Sequence, residues 1–221
     1  MSLKITYDEL RRHVGRHLGF DRSPSNWEAD QATDVADIVR DGVRGFYWPK
    51  VDGVSEHKWS FLCPIATVTM SSDLDRYDLP EDFVRLCNSF TFKSEQSRRC
   101  LDKVDEKSIR SMADRNGVPL YFAIRPKPQA ENRYEMLVHP TPDDEYTLEY
   151  RYEKSPPELG DGNPEHLGSA AHSQTLLLSC IASAERTLNV ESSMRSEGGI
   201  NIVSQFQAAL LASIALDQQV Y

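Results

Sequence analysis

The stretch that decides the fold is Ser169–Asp217, with the sequence SAAHSQTLLLSCIASAERTLNVESSMRSEGGINIVSQFQAALLASIALD. In its second part, small and apolar residues recur at i, i+3, i+4, i+7 and i+8, which places them on one helical face. These residues are Ile202, Val203, Phe206, Ala209, Leu210, Ser213 and Ile214. The first part has a similar stripe of Leu177, Ile181, Ala184 and Leu188. The stretch therefore predicts two amphipathic helices on either side of a break at Gly198-Gly199.

Such helices need a partner surface, because a single helix of this length is only marginally stable in water. The other long helical patterns lie at the opposite end of the chain. There, Thr6 and Glu9 form a capping box that predicts the start of a first helix. Ser25 or Asn26 is placed to cap a second helix, which Pro49 ends. We expect helices from both ends of the chain to pack together as one helical hub.

Between the helical ends, the pattern changes to the alternation and β-branched residues of strands. The predicted strands are Ile65–Met70, Phe83–Lys93, Leu120–Arg125, Arg133–His139 and Tyr146–Glu153. A short helix is predicted within residues 105–116. Because short polar turns and no long crossover helices connect the strands, we expect an antiparallel sheet or a small sandwich.

The predicted fold class is α+β, a helical bundle formed by the N- and C-terminal helices with an inserted antiparallel β-rich domain. Residues 1–59 form the N-terminal part of the hub, and residues 60–154 form the β-rich insert. Residues 155–168 are rich in proline and glycine and are the predicted linker. Residues 169–221 complete the hub and include a C-terminal tail.

Composition limits the classes of function. The net charge of −9 over 221 residues argues against a general nucleic-acid binder, whose surface would be basic. No apolar run approaches the roughly 18 residues of a membrane span, and the first residues lack the apolar core of a signal peptide. We therefore expect no membrane association. The four dispersed cysteines are expected to be reduced and mostly buried thiols: Cys63, Cys87, Cys100 and Cys180.

The candidate chemistry in the sequence is weak. His13 and His17 have the i, i+4 spacing of two metal ligands, but the glutamate of H-E-x-x-H and a third ligand are missing. A solvated or interface position is the favoured interpretation for both. We predict no catalytic residue, no cofactor and no metal site.

Two clusters have both a structural and a functional interpretation. Arg11, Arg12 and Arg16 make the first helix locally basic, which fits an ordinary solvated face or a contact with an acidic partner subunit. The aromatic run Phe46-Tyr47-Trp48, together with Trp59 and Phe61, fits a stacking platform or a core or hub-to-sheet junction, and the second interpretation is favoured.

Several segments combine into a recognisable set in this order and spacing. They are Tyr7-Asp8-Glu9-Leu10, Gly45–Pro49, His57–Leu62, Tyr77–Pro80 with Asp82-Phe83, Tyr150-Arg151-Tyr152 through Pro156–Leu159, His172-Ser173-Gln174, Ala184-Glu185 and Phe206–Asp217. The set resembles the head-to-tail adaptor proteins (connector, or head-completion proteins) of tailed bacteriophages, over most of the chain.

The resemblance implies a structural, non-enzymatic protein of the virion neck that is made in the cytoplasm of the host bacterium. Members of that family assemble as a twelve-fold ring beneath the portal protein and continue its channel toward the tail. A tail or head-closure protein would be the partner on the other side. Genomic DNA would pass without specific binding, since twelve copies at −9 would carry roughly −108 formal charges.

The resemblance also implies which residues make contacts. C-terminal segments of the family commonly dock against the portal. The corresponding candidates here are Ala208, Leu210, Leu211, Ile214, Leu216, Asp217, Gln218, Gln219, Val220 and Tyr221. The candidates for the subunit interface are Arg11, Arg12, Arg16, Arg40 and Arg44. The alternatives are a head-closure or tail-terminator ring and, from another class, a small-molecule enzyme or binding module.

Overall fold

A computed structural model describes residues 3–49, 57–93, 100–128, 130–191 and 202–219. The helices are α1 (Tyr7–His17), α2 (Ala29–Tyr47), α3 (Glu106–Ser111), α4 (Ser173–Glu191) and α5 (Ile202–Gln218). The strands are β1 (Ile65–Met70), β2 (Arg76–Asp78), β3 (Phe83–Leu86), β4 (Thr91–Phe92), β5 (Asp102–Lys103), β6 (Tyr121–Pro126), β7 (Tyr134–His139) and β8 (Tyr146–Lys154). Helices from both ends flank a β-rich middle, which confirms the predicted α+β class. The predicted break at Gly198-Gly199 lies outside the described residues.

The chain forms two compact units. The helical unit combines Met1–Phe61 with Pro157–Tyr221, and the β-rich unit is Leu62–Pro156. Backbone hydrogen bonds join the two parts of the helical unit where α1 begins: the Tyr7 amide donates to the Pro164 carbonyl at 2.7 Å. The start of the chain is thereby fixed to a segment more than 150 residues away in sequence.

The first helix begins as predicted. The Thr6 hydroxyl accepts a hydrogen bond from the Glu9 amide at 3.3 Å, and the Glu9 carboxylate accepts one from the Thr6 amide at 2.8 Å. This reciprocal pair satisfies two backbone donors that the first turn of a helix leaves without partners. The capping box at Thr6 is confirmed.

The predicted cap of the second helix is wrong. Ser25 and Asn26 belong to a 3-10 turn that begins at Pro24, and α2 starts only after Glu28. The delay has a packing cause, because the side chain of Trp27 inserts against α1 before the chain enters α2. A Cβ atom added at Gly15 would lie 2.3 Å from the Trp27 ring, so only glycine leaves room for it.

Within the helical unit, α2 and α4 approach each other very closely. A Cβ atom added at Gly42 would lie 2.4 Å from Cα of Cys180, which means that the two backbones almost touch. The Ser179 hydroxyl donates to the Gly42 carbonyl at 2.6 Å across the same contact. Burial raises the pKa of the Cys180 thiol, which therefore stays protonated.

This close contact changes which face of α4 is buried. Of the predicted stripe, Ala184 is buried, but Leu177, Ile181 and Leu188 are only half-buried. The deeply buried residues of α4 are mostly smaller: Thr175, Leu176, Ser179, Cys180, Ala182 and Ser183. The prediction for α4 is wrong because it assumed that large apolar side chains mark the interior, whereas α2 approaches too closely for them.

The last helix buries the C-terminal part of its predicted stripe. Leu210, Ser213 and Ile214 are buried, as predicted. Val203, at the start of the same stripe, is 39% exposed. The buried face continues one turn further to Asp217, which is 3% exposed.

The β-rich unit contains two four-stranded sheets. In one, β8 pairs with β1, β3 and β4, and in the other the order is β2-β7-β6-β5. All pairs are antiparallel except the short pair of β5 and β6. The predicted strand over Phe83–Lys93 is divided into β3 and β4. Side chains from both sheets form one core that includes Met70, Phe122, Met136 and Leu148, which supports the predicted sandwich.

Candidate functional site

One buried cluster in the helical unit contains the residue types of a serine hydrolase. The Asp217 carboxylate accepts hydrogen bonds from the Ser60 amide at 2.9 Å and from the Ser60 hydroxyl, and it lies 3.1 Å from His57 Nε2. A nucleophilic serine needs its hydroxyl on the imidazole that takes its proton. Here serine and histidine both contact the same carboxylate, whose side chain is 2% exposed. The cluster therefore holds the end of α5 in place and does not activate Ser60.

A second serine–histidine pair lies at the junction of the two chain ends. His166 Nδ1 is 2.7 Å from the Leu167 carbonyl, so this nitrogen donates and Nε2 accepts from the Ser173 hydroxyl at 2.9 Å. The Ser173 oxygen in turn accepts from the Ile5 amide at 3.1 Å. His166 is 1% exposed and Ser173 is 9% exposed, so a substrate cannot reach the pair in the folded chain.

The third buried histidine, His172, lies among aromatic rings. Its ring centroid is 5.3 Å from that of Trp59, 5.4 Å from that of Phe61 and 6.2 Å from that of Phe46. Its Nδ1 atom is buried without a hydrogen-bond partner among the described residues. The aromatic cluster of the sequence thus forms part of the core of the helical unit around a neutral imidazole.

Burial lowers the pKa of His166 and His172 below their ordinary value of 6.5. Below that pH the unfolded chain gains protons that the folded chain does not bind, so the free energy of unfolding should fall as pH decreases through the folded pKa values. Each histidine can contribute a slope of up to about 1.4 kcal/mol per pH unit. The His172→Phe variant keeps a ring and removes the titrating group, so its slope should be smaller. Denaturant unfolding between neutral and mildly acidic pH measures both slopes, and identical slopes would contradict the prediction.

The two histidines with metal-ligand spacing are in different environments. His17 Nε2 lies 2.6 Å from the Glu185 carboxylate and links α1 to α4, whereas His13 is exposed. No group of three or more His, Cys, Asp or Glu side chains is placed to hold a metal ion in the part of the chain that the structure describes.

Most of the predicted interface arginines already contact groups of their own chain. Arg12 pairs with Asp8, Arg44 with Asp41 at 3.4 Å, and Arg40 with Asp37 at 2.6 Å and with Glu158 at 2.7 Å. The hydrogen bond that Arg40 donates to the Glu158 carboxylate raises the pKa of Arg40. Arg11 lies over the rings of Tyr7 and Trp27, and Arg16 is exposed. Four of the five arginines, all except Arg16, therefore already have a partner among the described residues of their own chain.

The predicted portal-docking residues separate into three groups. Leu210, Ile214 and Asp217 are 1%, 5% and 3% exposed, so they cannot form a docking surface in the folded unit. Their burial follows from the packing of α5 on α4 and from the cluster with Ser60. The exposed members are Ala208, Leu211, Leu216, Gln218 and Gln219. Val220 and Tyr221 lie outside the described residues.

The exposed side of α5 has an unusual composition. We call it the α5 outer face, and it consists of Ala208, Leu211, Ala212, Ala215, Leu216 and Gln219. Leu211 is 47% exposed and Leu216 is 43% exposed. The only charged residue within α5 is the buried Asp217, so the outer face carries no charge at all. Exposed apolar surface without charges is typical of protein–protein contact sites.

A groove lies next to α5, where α2 ends. We call it the α2 groove, and one part, with a volume of about 360 Å³, is lined by Arg44, Gly45, Trp48, Arg186 and Phe206. A smaller adjoining part has a volume of about 140 Å³. The adjoining part shares Gly45, Arg186 and Phe206 and extends along α5. Sequence reasoning did not find this groove, because its residues come from three helices that are far apart in the chain. The aromatic run ending at Trp48 was the only signal of it.

The chain matches one family of known proteins. The family model described as SU10 adaptor protein matches residues 5–219, which is nearly the whole chain. A search of curated proteins gave no match. None of the helices in the described ranges is both long and apolar enough to cross a membrane.

Proposed function

This chain belongs to the SU10 adaptor protein family of phage head–tail adaptors, and on that premise we propose that it forms a ring in the virion neck. The ring attaches to the portal protein of the DNA-filled head, continues its channel and connects it to the tail. The chain is a structural phage protein and a virion component, and the proposal adds the portal as partner and twelve as the copy number.

The observation that carries the proposal is the α5 outer face. A chain with 27% charged residues and a net charge of −9 would ordinarily place charges along an exposed helix. The outer face instead presents two half-exposed leucines between alanines. Since each leucine is already about half covered, burying the rest against a partner contributes about 1 kcal/mol per side chain. This surface is therefore suited to a stable contact with another virion protein.

The polar clusters of the helical unit support a structural role. Both serine–histidine arrangements hold distant segments together, Ser60 with α5 and Ser173 with the start of the chain. The hydrogen bonds of these serines and histidines are made to other residues of the same chain and stabilise its fold. The acidic net charge also suits a channel for DNA, because a conduit should repel phosphate groups rather than bind them.

The double variant Leu211→Asp, Leu216→Asp tests the attachment. Two carboxylates on the outer face would have to be desolvated at the interface, so binding to the portal of the same phage should weaken at least about 100-fold. The matched control is Leu74→Asp. Leu74 is 46% exposed, about as much as Leu211 and Leu216, but it lies in the β-rich unit and outside the α5 outer face. Co-sedimentation with purified portal measures the affinity, and circular dichroism verifies folding.

The outcomes separate the candidates. Equal portal binding by the double variant and the wild type would refute attachment through the α5 outer face. A wild type that binds the tail component and not the portal would indicate a head-closure or tail-terminator protein. Deletion of residues 208–221 is the poorer experiment, because it removes the buried Leu210, Ile214 and Asp217 and would unfold the helical unit.

A further inference from the structure

The α2 groove carries positive charge that the described part of the chain compensates only in part. Arg186 lines both parts of the groove, is exposed and forms no ion pair with any described residue. Arg44 lines the larger part as well, and among the described residues its ion pair is a long contact of 3.4 Å to Asp41. Gly45, Trp48 and Phe206 complete the lining of that part. The groove therefore combines a mostly apolar lining with two guanidinium groups, which favours an occupant that brings carboxylates.

The first half of α2 has the opposite charge. Asp30 and Asp34 are exposed and one helical turn apart, and neither forms an ion pair with a described residue. No lysine or arginine occurs between residues 28 and 39. The next acidic residue, Asp37, is already paired with Arg40. The unpaired negative charge is thus confined to the first two turns.

The two surfaces lie at opposite ends of one helical face. Asp30, Asp34, Asp37, Asp41 and Arg44 follow each other at intervals of three or four residues, which places them along the same side of α2. At 1.5 Å per residue, Asp30 and Arg44 are about 21 Å apart along the helix axis. Two different, complementary surfaces on one subunit are what a head-to-tail contact between copies requires.

We propose that the α2 groove of one copy receives the first half of α2 from a second copy, with Asp30 and Asp34 facing Arg44 and Arg186. The inference rests on the proposed function, because it requires copies to associate in a ring. The charge of the chain favours a second copy over nucleic acid, since two arginines in a protein of net charge −9 are a small basic surface. A second copy offers two carboxylates one helical turn apart, one for each of the two guanidinium groups.

Charge reversal tests the contact in the full-length protein. Arg186→Glu and Asp34→Arg should each reduce ring formation on the portal at least about tenfold, because like charges then face each other. In the double variant that carries both changes, an arginine again faces a glutamate. Its ring formation on the portal should therefore return to nearly the wild-type level. Mass measurement of the portal complex gives the number of bound copies. Arg22→Glu, at an exposed arginine outside both surfaces, is the control and should assemble like the wild type.

Each outcome is informative. Normal assembly by both single variants would overturn the head-to-tail contact and leave the proposed function intact. Loss of assembly in Arg186→Glu but not in Asp34→Arg would mean that the groove has another occupant, which also overturns the inference. The inference would also be overturned if the double variant did not regain ring formation although its thermal unfolding matched that of the wild type. A wild type that forms no ring on the portal would refute the proposed function itself.

Discussion

Replacement of Gly42 by alanine should lower the free energy of unfolding of the helical unit by about 3 kcal/mol, at the upper end of the range for overpacked cores. The added Cβ would lie 2.4 Å from Cα of Cys180 and 2.8 Å from its backbone nitrogen. Backbone atoms cannot rotate away as a side chain can, so α2 and α4 must separate. The loss should occur although alanine favours an isolated helix over glycine by about 1 kcal/mol.

Gly45→Ala is the matched control for Gly42→Ala. It lies three residues further along the same helix, and its Cβ would meet only the Ser179 hydroxyl at 3.3 Å. We expect the stability to change by no more than about 1 kcal/mol, because a small side-chain shift offsets the gain in helix propensity. Denaturant unfolding followed by circular dichroism measures both variants. Equal stability of Gly42→Ala and wild type would show that the two backbones are further apart than the structure indicates.

The second large effect is expected for Asp217→Ala. The substitution leaves the Ser60 amide and hydroxyl without their acceptor and removes the partner of His57. Unsatisfied buried donors cost about 1–3 kcal/mol each, so the free energy of unfolding should fall by roughly 3 kcal/mol. The neighbouring Gln218 is exposed, and Gln218→Ala should leave stability unchanged within about 0.5 kcal/mol.

Variants of Asp217 also distinguish two roles for the end of α5, which are stabilising the fold and docking directly on the portal. If Asp217 acts only through the fold, portal binding by the surviving folded fraction of Asp217→Ala should match that of the wild type. The conservative variant Asp217→Asn keeps one acceptor oxygen and should recover part of the lost stability. A fully stable Asp217→Ala variant that fails to bind the portal would assign the carboxylate to docking instead.

The sequence was sufficient for features that depend on local chemistry. The capping box at Thr6, the alternating strand β8 and the buried part of the α5 stripe follow from spacing alone, and all three are present. The start of α2 was misplaced because the cause of its delay, the fit of Trp27 against Gly15, lies in another helix. The same holds for α4, where a close approach of α2 selects small residues.

The candidate site was less predictable for the same reason. Asp217 was assigned to docking because the resemblance implies that the C-terminal segment docks on the portal, and an acidic residue in that segment would ordinarily be exposed. Its partners, His57 and Ser60, lie about 160 residues earlier in the chain. The groove at Arg186 likewise needs α2, α4 and α5 in their final positions. Spacing within one segment contains no information about such contacts.

The helical unit is built from two segments that are far apart in the sequence, and this has a consequence for how the chain folds during its synthesis. Its first part, Met1–Phe61, leaves the ribosome before the β-rich unit, while the partner helices α4 and α5 are synthesised after that unit. The β-rich unit is continuous in sequence and can fold as soon as it has emerged, because domains fold as units during translation. The helical unit can close only after α4 and α5, including Asp217, have emerged from the exit tunnel. Until then, the nascent chain contains a β-rich unit that can already be folded and an N-terminal helical segment that still lacks its partner helices.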